Sequence, residues 1–294
     1  MKSAANISSQ TSVISDVMTL VKARLSLLVL ITTLVGFLLG WRGPLDWGLL
    51  LATLTGTALC AGGAAALNQW WERDLDSRMK RTRTRPLPAQ RMQPIDALLF
   101  GMFFAAAGVA ILGLFANARA AFLAFATIAI YIFVYTPMKR WSPLNTLVGA
   151  VPGALPPLIG WVAARGHYDL EGCLLFAVLW FWQMPHFLAI AWMYKDDYAD
   201  GGFVMLTAND PEGLLTSRQA LLYTLFLVPV TLLPSMLAFN SFVYFIGALA
   251  LGLGFTAFAV RFVSQRNRTA ARNLFFASII YLPLLLGLLV ATKK

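Results

Sequence analysis

The sequence predicts an all-α integral membrane protein with nine transmembrane helices. Three observations predict it. Hydrophobic residues make up 59% of the chain and charged residues only 12%, against roughly 25% charged in a soluble domain. The apolar residues come in long runs of about 20, the length a helix needs to cross a bilayer. The lysines and arginines fall between those runs, where membrane topology places them. A soluble protein of 294 residues has no core large enough to hide this much apolar surface, so the lipid bilayer is the solvent for most of it. The net charge of +10 would point to nucleic acid in a soluble chain. Here it is a topology signal, and no nucleic-acid partner is expected.

The runs lie at about 21–40, 47–67, 95–116, 119–136, 144–163, 171–193, 219–237, 241–262 and 273–291. They form one polytopic domain over 1–294. Residues 1–20 are a polar, Ser-rich cytoplasmic segment with one lysine and no arginine, unlike a cleaved signal peptide or an Arg-rich transit peptide. The first run is therefore read as a retained anchor. The fifth run contains Pro152, Pro156 and Pro157 with Gly149, Gly153 and Gly160. It is expected to be kinked or partly unwound, which is tolerable only where it packs on protein or lines a cavity. Cys60 and Cys173 lie within or at the edge of apolar runs with no CxxC pair and read as small core residues.

Nine spans put the termini on opposite sides. With the N-terminus inside, only Arg42, Arg119, Arg165, Lys293 and Lys294 lie outside, and the other 18 of the 23 cations lie inside. That asymmetry predicts N-in, C-out in a cell inner (plasma) membrane. The acids follow the same geography. Only Asp46, Asp169 and Glu171 are outside, and the inside acids cluster mainly in two loops. The positive-inside rule does not ask for acids, so the clusters need another cause.

The first cluster is Asn68, Glu72 and Asp76, spaced i, i+4, i+8. If the second helix continues through them they share one face. Three oxygen-bearing side chains on one stripe suit Mg²⁺, which takes oxygen ligands and shares itself with substrate phosphates. The ordinary alternative is a solvated helix end, with Glu72 and Asp76 paired to Arg73 and Lys80. The second cluster, after the sixth span, holds Asp196, Asp197 and Asp200. Asp196 and Asp200 are four apart, again one helical face. Two acidic clusters on one side of a membrane permit a metal clamp on a leaving diphosphate. Candidate metal ligands are thus Asn68, Glu72, Asp76, Asp196 and Asp200, with Asp197 as the alternative register. Lys80, Arg81, Arg83 and Arg85 follow directly on the first cluster, and Lys139 and Arg140 form a second basic turn. Arginine forks and lysine point charges suit phosphate oxygens, and the positive-inside rule alone also accounts for them.

At these residues the chain resembles the UbiA superfamily of intramembrane prenyltransferases. Asn68-x3-Glu72-x3-Asp76 followed by Arg81-Thr82-x2-Arg85-Pro86-Leu87 is similar to that superfamily's first motif. Tyr135-x-Pro137-x-Lys139-Arg140 is similar to its Tyr-Pro turn, and the span count agrees. Glu72 departs from the usual aspartate by one methylene. Asn145-x3-Gly149, Pro152, Pro156-Pro157, Gly160-Trp161 and Trp182-Gln-Met-Pro185-His186 are most similar to the branch that farnesylates heme. The resemblance implies a UbiA-type bundle with a central cavity, and farnesyl diphosphate and heme b as substrates. It implies Mg²⁺ as cofactor and Asn68, Glu72, Asp76, Asp196 and Asp197 as catalytic residues. Lys80, Arg81, Arg85, Lys139 and Arg140 then become diphosphate ligands. A downstream heme O-modifying enzyme or oxidase assembly is the implied partner.

His186 lies inside the sixth span, where an ionisable group is a functional candidate by default. It could ligate heme iron or simply hydrogen-bond a neighbouring helix. His167 reads as solvated surface. Trp70, Trp71, Trp182 and Trp192 could stabilise a cation through their ring faces, though interfacial packing explains each. A related enzyme acting on an aromatic acid or quinone precursor is the alternative. A transporter would carry its ionisable groups near the midplane, whereas here they fall in loops apart from His186.

Overall fold

The structure is a computed structural model, and it describes residues 12–293. Most of the N-terminal segment expected over 1–20, and the cations Lys2 and Lys294, lie outside the described residues. The last part of that segment is not plain polar chain. It forms helix α1 (Val13–Leu20), with Asp16 and Leu20 buried and Val13, Ile14 and Met18 exposed. Apolar residues at helical spacing were concealed there among serines and threonines.

Nine helices among the described residues are long and apolar enough to span a membrane: α2 (Ala23–Gly40), α3 (Trp47–Asp76), α4 (Pro94–Phe115), α5 (Ala118–Met138), α6 (Asn145–Arg165), α7 (Leu170–Met193), α9 (Leu214–Met236), α10 (Phe242–Gln265) and α11 (Arg268–Ala291). Between α7 and α9 comes the short α8 (Lys195–Asp200). The spans match the nine apolar runs. Many begin where a side chain can satisfy an otherwise free backbone N–H. Asp46, Asn117, Asp169, Ser241 and Asn267 each accept from the residue three positions on.

Helix α3 runs on to Asp76 instead of stopping near residue 67. Residues 68–76 contain no glycine or proline to end it. This extension carries the first acidic cluster beyond the apolar run on a rigid element. Helix α6 meets one part of a second expectation, its packing on protein, and corrects another, its unwinding. It stays helical through Pro152, Pro156 and Pro157 and is not unwound. It is also the most enclosed span, with 67% of its membrane window buried, so neighbouring helices surround the backbone that the prolines disturb. Gly36 and Gly160 allow α2 to lie directly on α6. A Cβ on Gly36 would collide with the Pro157 carbonyl, and one on Gly160 with that of Thr33.

Two spans widen into π-helical turns, at Leu112–Ala116 in α4 and Ile130–Tyr135 in α5. At the far end of the bundle Lys293 Nζ donates to the carbonyls of Leu38 (2.8 Å) and Trp41 (2.7 Å). The C-terminal end therefore lies beside the end of α2, opposite α2's start, as an odd number of spans requires. Cys60 is buried as expected, but Cys173 is exposed on the outer surface of α7 and is not a core residue.

Candidate active site

The loops on the α1 side of the bundle gather both acidic clusters. Asn68, Glu72 and Asp76 form one buried stripe at the end of α3, each less than 5% exposed. Burying three such groups is costly unless each is paired, and each has its own cation. Lys22 Nζ donates to Asn68 Oδ1 at 2.8 Å. Lys139 Nζ donates to Glu72 Oε1 at 2.8 Å. Arg85 Nη1 donates to Asp76 Oδ2 at 2.6 Å. The local pairing with Arg73 and Lys80 does not form. Arg73 pairs instead with the exposed Asp74, and Lys80 is exposed.

The π-helical turn of α5 aims its residues at this stripe. The Thr136 N–H and hydroxyl both donate to the Tyr131 carbonyl, while Thr136 Oγ1 accepts from Asn68 Nδ2 at 3.1 Å. Tyr131 Oη accepts from Lys22 at 3.2 Å. Lys139 Nζ sits 4.5 Å from the centre of the Tyr135 ring. Burial pushes the Lys139 ammonium down, but Glu72 and the two tyrosines push it up further, and the balance lies above the ordinary lysine range. Lys139 is therefore a fixed cation.

Lys22 was read from sequence as a topology charge alone. It occupies the corner between α1 and α2 in the left-handed conformation, φ 48° and ψ 51°, which costs a non-glycine residue roughly 1–2 kcal/mol. The corner is held from α3, where Gln69 Nε2 donates to the carbonyls of Thr19 (2.9 Å) and Leu20 (2.6 Å). Asp16, buried on α1, accepts two bonds from Arg91 Nε and one from Nη2, tying α1 to the basic loop.

The second cluster is built differently. Asp196 and Asp200 on α8 are exposed and Asp197 is half-buried. Asp197 Oδ1 accepts from the Lys80 backbone N–H at 2.8 Å, and its Oδ2 is buried with no partner among the described residues. A cavity of about 450 Å³ opens here, lined by Lys80, Arg81, Asp196, Asp197, Asp200 and Arg268, with Met193 and Tyr194. Arg81 lies 5.7 Å from the ring centres of both Tyr194 and Tyr198. Arg268, at the start of α11, is a member the sequence reading did not single out. Arg140 is exposed and forms no ion pair among the described residues.

The cavity is not lined by Asn68, Glu72 or Asp76. Among the described residues no three Asp, Glu, His or Cys side chains meet closely enough to hold a metal. The five candidate ligands Asn68, Glu72, Asp76, Asp196 and Asp200 are thus not drawn into one protein-only cage. The donor set still fits a hard divalent cation of another kind. It offers an amide and two carboxylates on the α3 stripe and, separately on α8, a buried carboxylate oxygen with no partner among the described residues. Water and substrate phosphates would complete the coordination, which is how Mg²⁺ is usually held. The turn that carries Lys139 is tied to the segment that follows α8. Val204 N–H donates to the Lys139 carbonyl at 2.7 Å, and Asn145 Nδ2 donates to the Ser142 (2.6 Å) and Val204 (2.8 Å) carbonyls.

His186 lies deeper, two turns back along α7 from Met193. Its ring stacks between Trp182 (5.1 Å) and Phe275 (4.9 Å), and Nδ1 is 2.7 Å from Ser278 Oγ. The Ser278 hydroxyl spends its one proton on the Phe275 carbonyl at 2.6 Å. With its proton so placed, Ser278 Oγ accepts from His186 Nδ1–H, the tautomer that leaves the Nε2 lone pair available. Of the other aromatics, Trp182 Nε1 donates to the Ser278 carbonyl and Trp70 packs on the small core of Leu20, Ala66, Leu87 and Ala97. Trp71 meets Phe133 edge-on, Trp192 meets Phe262, and His167 is exposed beside Asp169.

Residues 29–280 match the family model described as the UbiA prenyltransferase family. A protoheme IX farnesyltransferase of Solibacter usitatus is 43% identical over 287 residues, covering 95% of this chain and 98% of the relative. One from Opitutus terrae is 44% identical, covering 95% of each. The mitochondrial protoheme IX farnesyltransferase of Arabidopsis thaliana is 39% identical over 92% of this chain and 63% of its own length. Among solved structures, one described in work on digeranylgeranylglyceryl phosphate synthase superposes with a TM-score of 0.81 at 15% identity, covering 95% and 98% of the two chains. A UbiA homolog from Archaeoglobus fulgidus bound to GPP and Mg²⁺ gives 0.67 at 14% identity, covering 93% and 99%. At such identities these two structures speak for the fold.

Proposed function

The chain belongs to the UbiA prenyltransferase family, and on that premise we propose that it transfers a farnesyl group from farnesyl diphosphate to a vinyl group of heme b, with addition of water, to give heme O. The observation that carries this reading is the α3 stripe, where every oxygen donor faces a cation of the same wall. Such a wall presents ligands for both partners of a metal diphosphate. Mg²⁺, when bound, supplies positive charge to the leaving diphosphate. Asn68, Glu72 and Asp76 would hold it from α3, and Asp197 or its neighbours Asp196 and Asp200 from α8. Arg85 and Lys139, with Lys80 and Arg81 at the cavity, bind diphosphate oxygens by charge-assisted hydrogen bonds; Arg140 would contribute only field from the surface.

Breaking the carbon–oxygen bond leaves the electron pair on the diphosphate and positive charge on the farnesyl C1. The heme vinyl group gives its π electrons to C1, forming the new carbon–carbon bond, and water adds at the vinyl carbon left positive. The proton released from that water goes to solvent or the departing diphosphate. Cations already in place at the leaving group should supply most of the acceleration. His186, with Nδ1 held against Ser278, would offer its Nε2 to the iron of the heme substrate.

The 18-to-5 distribution of cations supports a bacterial inner-membrane location with the acidic-loop face and N-terminus cytoplasmic. The product would then pass to a heme O-modifying enzyme or oxidase assembly. The test is mass spectrometry of hemes from heme-b-containing membranes that express the chain, supplied with farnesyl diphosphate and Mg²⁺. A heme heavier by one hydroxyfarnesyl unit, lost in Asp76→Ala, is expected. Unchanged heme with prenylation of an added aromatic acid would overturn the substrate and keep the family.

A further inference from the structure

We propose that Lys22 is a third diphosphate-binding cation, and that it leaves Asn68 for the diphosphate when a divalent metal takes the Asn68 oxygen. The inference rests on the prenyl-diphosphate reading above and adds a residue and a coupling to it. Three observations support it.

The first is position. Lys22 Nζ reaches Asn68 Oδ1 at 2.8 Å and Tyr131 Oη at 3.2 Å, so it stands in the same wall as Arg85 and Lys139. The second is the backbone. The Lys22 side chain is delivered by a left-handed corner that Gln69, the neighbour of Asn68, pins through two carbonyls. A strained non-glycine conformation that its surroundings over-determine is the kind of outlier from which a function can be inferred. The third is the pairing rule. Lys22, Lys139 and Arg85 hold Asn68, Glu72 and Asp76 one to one. A metal arriving alone must displace a lysine from the Asn68 carbonyl oxygen and gives that lysine no new partner. A metal arriving with a diphosphate supplies one, because the displaced ammonium can turn to a phosphate oxygen. Metal and diphosphate therefore strengthen each other's binding, and by linkage the factor is the same in both directions.

This predicts effects of opposite sign from one substitution, which a purely structural role for Lys22 does not produce. The experiment uses the full chain in detergent or nanodiscs, with Mn²⁺ binding read by electron paramagnetic resonance and binding of radiolabelled inorganic pyrophosphate read at saturating Mg²⁺. In Lys22→Met, pyrophosphate binding should weaken about tenfold, the loss of one charge-assisted contact. Mn²⁺ alone should bind more tightly, because Asn68 Oδ1 is released. Lys22→Arg keeps charge and reach and should restore pyrophosphate affinity to within about threefold of wild type. Loss of both affinities in Lys22→Met, or no change in either, overturns the assignment. If Lys22→Met does not fold, Lys22→Arg decides alone: a tenfold loss of pyrophosphate affinity there overturns it. Wild-type protein that binds no pyrophosphate at all would instead sink the prenyl-diphosphate reading on which the assignment rests.

Discussion

The two acidic segments have similar compositions and opposite environments. On α3, Asn68, Glu72 and Asp76 are buried and each accepts a hydrogen bond from a cation elsewhere in the chain. On α8, Asp196 and Asp200 stand in solvent and Asp197 is held only by a backbone N–H. The α3 stripe is built into the fold, so its charges cannot be removed without cost to the fold. The α8 segment is held by Tyr198, which packs on Met79 and Phe203, and by a few backbone bonds, and these contacts leave the carboxylates of Asp196 and Asp200 exposed to follow a ligand. Fixed donors on one wall and adaptable donors on the other suit a substrate that must enter and leave as a metal complex.

The largest effect should come from the fixed wall. Asp76→Ala is expected to lower turnover at least about a thousandfold and to lower stability by about 2–3 kcal/mol, since Arg85 keeps a largely buried charge without its partner. Asp76→Ala with Arg85→Ala should recover much of the stability and none of the turnover. Chemical denaturation of the three variants checks this, and a double variant as unstable as the single one would mean that the pair is not the reason. The adaptable wall should behave otherwise. Asp197→Ala is expected to cost about a hundredfold in turnover with little change in melting temperature. Asp200→Ala, in solvent, should stay within roughly threefold of wild type. Equal losses for the two would erase the distinction between a held and a free carboxylate on α8.

A smaller effect concerns His186. Ser278→Ala removes the acceptor that fixes the imidazole proton on Nδ1 and should weaken heme binding about tenfold, read from the Soret band; an unchanged spectrum and affinity would remove His186 from the iron. The smallest is in the loop beyond α8. Asp210 Oδ2 accepts from Thr216 N–H at 2.6 Å. Burial pushes its carboxyl up, but this and neighbouring backbone hydrogen bonds push it down further, leaving it below the usual aspartate range. A depressed folded pKa contributes stability that is full above the unfolded value of about 3.9 and is lost as pH falls through the lower folded one. Asp210→Asn replaces a charged acceptor by a neutral one and should cost about 1 kcal/mol at neutral pH and flatten the acid limb of the stability curve.

The spans and the α3 stripe were legible because both are local. A run of about 20 apolar residues and a spacing of i, i+4, i+8 are properties of one segment. The partners of the stripe were not legible. Lys22 lies 46 residues from Asn68 and Lys139 lies 67 from Glu72, and nothing in sequence spacing selects them over Arg73 or Lys80. Lys22 did carry a faint signal, standing with Arg24 at the start of an apolar run, but every topology charge looks the same. The breakers in α6 misled for a related reason. Proline reads as an interruption when the segment is considered alone, and only the enclosure of α6 by its neighbours shows why the helix persists.

The π-helical turn Ile130–Tyr135 fixes the angular register of everything that follows it. A five-residue ring advances less per residue than an α-helical one, so the six residues lag by roughly the 100° of a single position. Thr136 and Lys139 meet Asn68 and Glu72 only because of that lag. Deleting one residue within 130–135 would let α5 relax to regular helix while leaving its composition and hydropathy almost unchanged. The span should still insert with the same topology, yet Lys139 should swing away from Glu72 and diphosphate affinity should collapse. Membrane insertion and ligand binding would then be separated by the length of one helix, counted in single residues.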